Sequence, residues 1–328
     1  MSHNLFVQSI HLSEHLNGIL THATIEETGD MSEKDGVGPA SLSKEEDYNR
    51  NFEKEVEEEE DEDENDEYMR KISFQSIRSN DGLEVAISVQ WDGMKAPLHI
   101  DTLLEEDDLA PLFAGAQWAG TRVWHAAIAM TDFLVKHHSQ ALCAKENGDR
   151  TITTTRVLEL GCGLGVPGMI LHSLYRNIDT FLTDQESILS QLTHNLGKNF
   201  PQDNNNNNND ESSNKIEAMA LDWSREAARE LVDRIGPLDV VLNCDCVYEP
   251  LYGDSWKLLA DVLDELLRAN PHALVLTSVE RRNADAVDQF LERLESSPHI
   301  SQVQQVFVDK PFRIEIYQAH GKRQDDEN

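Results

Sequence analysis

Basic side chains are scarce in this sequence: 28 Lys and Arg stand against 61 Asp and Glu, a formal net charge of -33. Nucleic-acid affinity comes largely from Lys and Arg neutralising phosphates, so DNA or RNA is disfavoured as a partner and basic proteins are favoured. The excess is spread along the chain. Residues 1–68 hold 21 acidic side chains against Lys34, Lys44, Arg50 and Lys54, a net of -17, which leaves -16 on residues 69–328. Cysteine is also rare. Cys143, Cys162, Cys244 and Cys246 make no disulfide framework, and Cys244 and Cys246 lie too close together for an ordinary bridge or metal knuckle. Four isolated thiols fit a reducing compartment, cytosol or nucleus, and no metal site is expected. No apolar run approaches a membrane span, and the first twenty residues lack a basic n-region and are poor in Arg, so neither a secretory nor a transit signal is expected.

What remains is a hydrophobic fraction of 39%, enough for a real core diluted by polar segments. Residues 1–68 read as a disordered acidic tail, with a weak amphipathic helix over 5–20 and an unpackable charge run at Glu53–Glu67. Order is expected from residue 69. ISFQSI and LEVAISVQW flank an Asp-Gly turn, a hairpin signal. Residues 93–120 read as a variable connection. Val123, Ala126, Ala127, Met130, Phe133 and Leu134 recur at helical spacing.

From Arg156 onward strands and helices alternate. RVLEL, TFLT, Ile216–Leu221, DVVLN and ALVLT are five short apolar strands, with helices expected over Pro167–Tyr175, Ile188–Leu196, Leu258–Leu267 and Asn283–Glu295. Val303–Val308 and Arg313–Ala319 end the domain as a hairpin. Residues 201–214, PQDNNNNNNDESSN, form a low-complexity loop, and 321–328 a disordered end. The alternation predicts an α/β, Rossmann-like, doubly wound sheet, mostly parallel with antiparallel strands at one edge.

Three clusters carry chemistry. The first is Val157-Leu-Glu-Leu-Gly161-Cys-Gly163-Leu-Gly165, a Gly-rich turn between strand and helix where a ligand can approach the backbone. Asp184 ends the next strand, placed for the hydroxyls of a ribose. A dinucleotide fingerprint needs Gly at the sixth position from Gly161, where Val166 stands. Glu159 would repel a pyrophosphate and attract the ammonium and sulfonium of S-adenosylmethionine. The second cluster is Asp239-Val-Val-Leu-Asn-Cys-Asp245-Cys-Val-Tyr248, which brings an acid and an aromatic ring to the same sheet edge, suited to an incoming amine. The third is Asp222-Trp223, able to bracket an adenine, with Trp124 as either a cover for the cofactor or a core residue.

Together with Gly120-Thr-Arg-Val-Trp124, ELGCGLGVPG, Thr183-Asp184 and Ile314-Glu-Ile-Tyr317-Gln-Ala319, these motifs resemble the seven-β-strand protein-lysine methyltransferases of family 16 over about residues 70–320. That family includes enzymes acting on chaperones, an AAA ATPase (the valosin-containing protein) and translation factors. The resemblance implies cofactor contacts at Trp124, Glu159, Gly161, Cys162, Gly163, Asp184, Trp223 and Cys244, an acceptor pocket at Asp245 and Tyr248, Glu280-Arg281 near its entrance, a protein lysine as acceptor, and a monomer. Arginine, histidine or a small molecule as acceptor, and a non-catalytic cofactor-binding module, remain open on the residues alone.

Overall fold

The structure, a computed structural model, describes residues 6–10, 72–78, 84–102, 120–143, 145–146, 152–201 and 214–323. The chain divides into Met1–Ile10 with Ile72–Asn328, which contains all the described residues, and His11–Lys71, which lies outside them together with the acidic run. The Asn-rich segment from 202 to 213 and the last five residues also lie outside them.

Strands β1 (Phe6–Ile10), β2 (Ile72–Arg78), β3 (Glu84–Trp91) and β4 (Leu98–Asp101) form an antiparallel sheet in that order. The expected hairpin is β2–β3, with Ile72 opposite Trp91. Two expectations change here. Phe6–Ile10, read as part of a helix in the tail, is a strand paired with β2, Phe6 opposite Arg78. FVQSI is rich in β-branched and aromatic residues, and a free strand edge supplies the backbone partners that a short isolated helix lacks. The 93–120 connection contains β4, whose alternation of buried Leu98 and Ile100 with exposed His99 is that of a half-buried strand.

After helix α1 (His125–His137) the doubly wound part begins: β7 (Thr155–Leu160), α2 (Val166–Leu174), β8 (Ile178–Asp184), α3 (Glu186–Asn199), β9 (Ile216–Ala220), α4 (Arg225–Ile235), β10 (Val240–Cys244), α5 (Trp256–Ala269), β11 (Leu274–Glu280), α6 (Val287–Glu295), β12 (Ile300–Asp309) and β13 (Ile314–Gly321). A two-residue ladder, β5 (Lys145–Glu146) with β6 (Ile152–Thr153), precedes β7. The large sheet has the order β12-β13-β11-β10-β7-β8-β9. Its five central and right-hand strands are parallel, and β13 inserts antiparallel between β11 and β12. The seven-stranded, mostly parallel sheet with an antiparallel C-terminal pair is the expected one. The order reverses between β7 and β10, which makes that gap the binding crevice of an open α/β sheet.

One crossover was not anticipated. Helix α4 begins with Ser224, whose hydroxyl accepts from the Ala227 N–H at 3.1 Å, and stops at Gly236. Ala228, Leu231 and Ile235 face the core at i, i+3 and i+7. Ala227 and Val232 pack beside them, so the cap and the apolar face are both present in a run that is charged on average.

The two sheet faces bury different sets. Leu158, Leu160, Val241 and Val275 pack under α4, α5 and α6. On the opposite face Val157, Val240, Leu242 and Leu276 pack with Met130 and Leu134 of α1. Period two puts Glu159 on the Val157 side, beneath the start of α2. The N-terminal sheet joins this side through Val89, Trp91 and Ile100 against Met169, Ile170 and Leu192.

Helix α3 seals the edge of β4 with side chains that act as a substitute strand. Asn195 accepts the Asp101 N–H (2.9 Å) and donates to its carbonyl (3.0 Å). Asn199, one turn on, does the same for His99 (2.7 and 2.9 Å). Residues two apart on a strand meet residues four apart on a helix. Asn195→Ala leaves a buried N–H without its partner, and a loss of about 1–3 kcal/mol is expected in denaturant unfolding; Asn199→Ala, at a more exposed contact, is expected to cost less.

Candidate functional site

A cavity of about 460 Å³ opens at the β7/β10 crevice. Its walls are the turn after β7 (Glu159, Gly161, Cys162, Gly163, Leu164), the end of β8 (Asp184), the turn after β9 (Leu221, Asp222, Trp223), the end of β10 (Cys244, Asp245, Cys246), and Trp124 at the start of α1. Every expected cofactor residue therefore lines one space, drawn from five segments of the chain. The volume suits a small-molecule cofactor.

Backbone conformation shapes the floor. Gly161 and Gly163 have φ of 58° and 53°, in the left-handed region. A Cβ on Gly161 would stand 2.7 Å from the Cys246 Sγ and 3.3 Å from the Trp223 ring; on Gly163 it would meet the Gly120 carbonyl at 3.0 Å. Both sites thus need Gly for conformation and for space. Gly120 itself has no room for a Cβ, which would stand 2.6 Å from Ile188 Cδ1 of α3.

Two carboxylates fix the turn to the sheet. Asp184 accepts the Gly163 N–H through Oδ2 and the Gln185 N–H through Oδ1, both at 2.7 Å. Burial raises its pKa, and these N–H groups oppose the rise. Glu159, only 1% exposed, accepts the Gly168 N–H in the first turn of α2 at 2.9 Å. Burial pushes its pKa up to about 8, against that hydrogen bond and with a contribution from Asp184. Burial also raises the thiols of Cys162, Cys244 and Cys246, which are therefore poor nucleophiles.

The acceptor side is arranged differently from expectation. Asp245, 4% exposed, lines the cavity, but Arg282 holds it in a bidentate pair. Nη1 donates to Oδ1 at 2.9 Å and Nη2 to Oδ2 at 2.6 Å. Tyr248 is not among the residues lining the cavity; its ring faces the Arg282 guanidinium, 5.0 Å from its centroid. The wall carries Tyr252, Leu251, Ser255 and the half-exposed Leu258 instead. A turn at Glu249–Tyr252 follows Tyr248 and swings Tyr252 over the cavity. Of the pair expected at the entrance, Glu280 meets Arg282 at 2.8 Å, whereas Arg281 turns away to Asp285, Asp288 and Glu315. Arg282 was missed in the sequence. In Glu-Arg-Arg only the fold shows which Arg turns inward.

No group of three or more His, Cys, Asp or Glu among the described residues is arranged to hold a metal ion. No described helix is long and apolar enough to cross a membrane.

The strand order and the cavity define the S-adenosylmethionine-dependent methyltransferase class. The sequence profile described as lysine methyltransferase matches residues 105–297, more than half of the chain, and the chain belongs to that family. A secreted RxLR effector protein of Plasmopara viticola is 38% identical over 48% of this chain and 80% of its own length. Protein-lysine N-methyltransferase EFM3 of Saccharomyces cerevisiae is 27% identical over 48% of each chain, so this sequence spans about half of that relative. Protein N-lysine methyltransferase METTL21A of Danio rerio is 27% identical over 60% of this chain and 75% of its own. Among solved structures, a TehB-like SAM-dependent methyltransferase from Corynebacterium glutamicum aligns at 15% identity and TM-score 0.38 over 66% of this chain and 97% of that one; the fold assignment rests on strand order, not on so loose a match.

The residues present fit that cofactor. Its ammonium and sulfonium would find a cavity whose described acidic lining residues are Glu159, Asp184, Asp222 and Asp245, and Trp223 and Leu221 offer apolar surface that would suit an adenine. Two outcomes are expected in calorimetric titrations. Gly161→Ala weakens cofactor binding by at least about ten-fold, the worth of one steric conflict near 1.4 kcal/mol, and adding Cys246→Ala recovers part of the loss. Cofactor affinity rises as pH is raised towards 8, because a cation binds the ionised form of Glu159, which is protonated below its raised pKa. In Glu159→Gln that rise flattens.

Proposed function

We propose that this protein-lysine methyltransferase holds its cofactor with Trp124, Glu159, Gly161, Cys162, Gly163, Asp184, Asp222, Trp223 and Cys244, and receives the acceptor lysine at Asp245, with the Tyr248 ring beside that seat. The observation that carries this is the position of Asp245: a nearly buried carboxylate at the end of β10, on the wall of the same cavity as Glu159 and Asp184.

S-adenosylmethionine supplies an electrophilic methyl group on a sulfonium. The protein's part is to attract the acceptor ammonium, align its nitrogen and exclude water. Asp245 supplies the charge, and the rings of Trp124 and Tyr248, which face the Arg282 guanidinium beside it, have negative faces suited to a cation. The lysine loses its proton before transfer, at a cost of roughly 4–5 kcal/mol at pH 7.

The acceptor is a protein with a basic surface around the target lysine, since the enzyme carries a net charge of -33. A chaperone, an AAA ATPase or a translation factor is the substrate class suggested by the family resemblance, which also suggests a monomer. Four free cysteines support a cytosolic or nuclear setting.

Incubation with radiolabelled cofactor and a lysate freed of small molecules is expected to label a discrete protein on lysine, as mass spectrometry reads it. Asp245→Ala lowers the rate by at least about 100-fold, the scale of a lost alignment. Label on arginine, histidine or a small molecule would replace the lysine assignment.

A further inference from the structure

The cation that meets Asp245 here belongs to the protein itself. Both Asp245 oxygens take a guanidinium N–H of Arg282, and Oδ1 also accepts the Glu280 N–H at 3.1 Å. The guanidinium carbon lies 5.0 Å from the Tyr248 ring centroid and 5.5 Å from that of Trp124. A carboxylate with two aromatic faces is a seat for an organic cation, and an alkylammonium satisfies it as well as a guanidinium does.

Arg282 has a second partner ready. Its Nη2 also donates to Glu280 Oε2 at 2.8 Å, so it can give up Asp245 without becoming unpaired. The backbone beneath it is held independently. Asp285, 5% exposed, accepts the Arg282 N–H at 2.9 Å, the Val287 N–H at 3.0 Å and the Arg281 Nε–H at 3.1 Å. Ala284 and Ala286 carry φ of 56° and 65°, left-handed values that non-glycine residues adopt only where the surrounding structure holds them there. That loop is built to a definite shape and delivers one side chain inward.

We propose that Arg282 is a built-in competitor for the acceptor seat: at rest its guanidinium occupies the place of the substrate ammonium, and the acceptor lysine displaces it from Asp245 onto Glu280. This rests on the assignment of Asp245 as the acceptor site. Arg282 is then a specificity-determining residue. A lysine presented by a docked protein has the high local concentration needed to displace it, whereas free lysine and other small amines do not.

The test uses the full chain saturated with S-adenosylhomocysteine and titrated calorimetrically with n-butylammonium. Arg282→Gln is expected to bind this probe at least about ten-fold more tightly than the parent, the scale of one cation–π contact or ion pair, with the affinity for S-adenosylhomocysteine unchanged. The double variant Arg282→Gln/Asp245→Asn loses the gain. Arg282→Lys, which keeps the charge but not the fork, gives a smaller gain and serves if the Gln variant does not fold. In turnover, methylation of free lysine appears in Arg282→Gln. Equal or weaker butylammonium binding in both Arg282 variants would overturn the proposal and make Arg282 a support for Asp245. Tighter binding in a protein that methylates no lysine would remove the acceptor assignment, and with it the competition with an acceptor lysine, leaving only a cation seat that Arg282 fills.

Discussion

The turn after β7 is tied down at both ends by backbone N–H groups donated to carboxylates, Gly163 to Asp184 and Gly168 to Glu159. The rest of the site depends on this. Gly163 N–H to Asp184 sets how far the turn lies from the end of β8, and so where β8 and the Trp223 turn meet the cavity. Gly168 N–H to Glu159 places the start of α2 over a buried acid, whose charge the partial positive end of the helix helps to tolerate. The glycines at 161 and 163 are the covalent counterpart of the same constraint: with side chains, the turn would strike Cys246 and Gly120.

The acceptor side follows another logic. Here the acid is strained as well as buried, with Asp245 at φ 57° and its N–H bound to the Ser278 carbonyl at 2.7 Å. A residue held against its backbone preference needs the surrounding fold to over-determine it, and strands β10 and β11 do so in register from Val240 and Leu274 to Cys244 and Ser278. The outcome is a carboxylate aimed at the cavity with its charge already balanced by Arg282. Cofactor and acceptor seats thus differ in kind. Glu159 and Asp184 are anchored by backbone amides, whereas Asp245 is countered by a side chain with an alternative partner.

Much of this was legible in the sequence because short-range patterns dictate it. Alternating apolar strands and amphipathic helices define the doubly wound class, the Gly-rich turn marks the crevice, and the carboxylate at Glu159 separates a cationic cofactor from a dinucleotide. The misses have physical causes. Helix α4 is strongly amphipathic, but its apolar face is made largely of small or medium side chains in a run that is charged on average, so its composition read as polar. Strands β1 and β4 are short, and each has a partner distant in sequence: β2 for β1, and for the outer edge of β4 two asparagines of α3, although its inner partner β3 is a near neighbour. Tyr248 fell outside the cavity lining because the turn at Glu249–Tyr252 redirects the chain one residue after it.

The sequence by itself determined the strand–helix alternation, the place of the turn and the acids at the strand ends, since each follows from residue type and spacing along a few neighbouring positions. Only the tertiary structure decided which side chains share the cavity, that Arg282 and not Arg281 faces inward, and that Asp245 meets a guanidinium before any substrate. Those outcomes depend on loop conformation and on contacts across some 37 positions of chain between Asp245 and Arg282, a separation that no local pattern encodes.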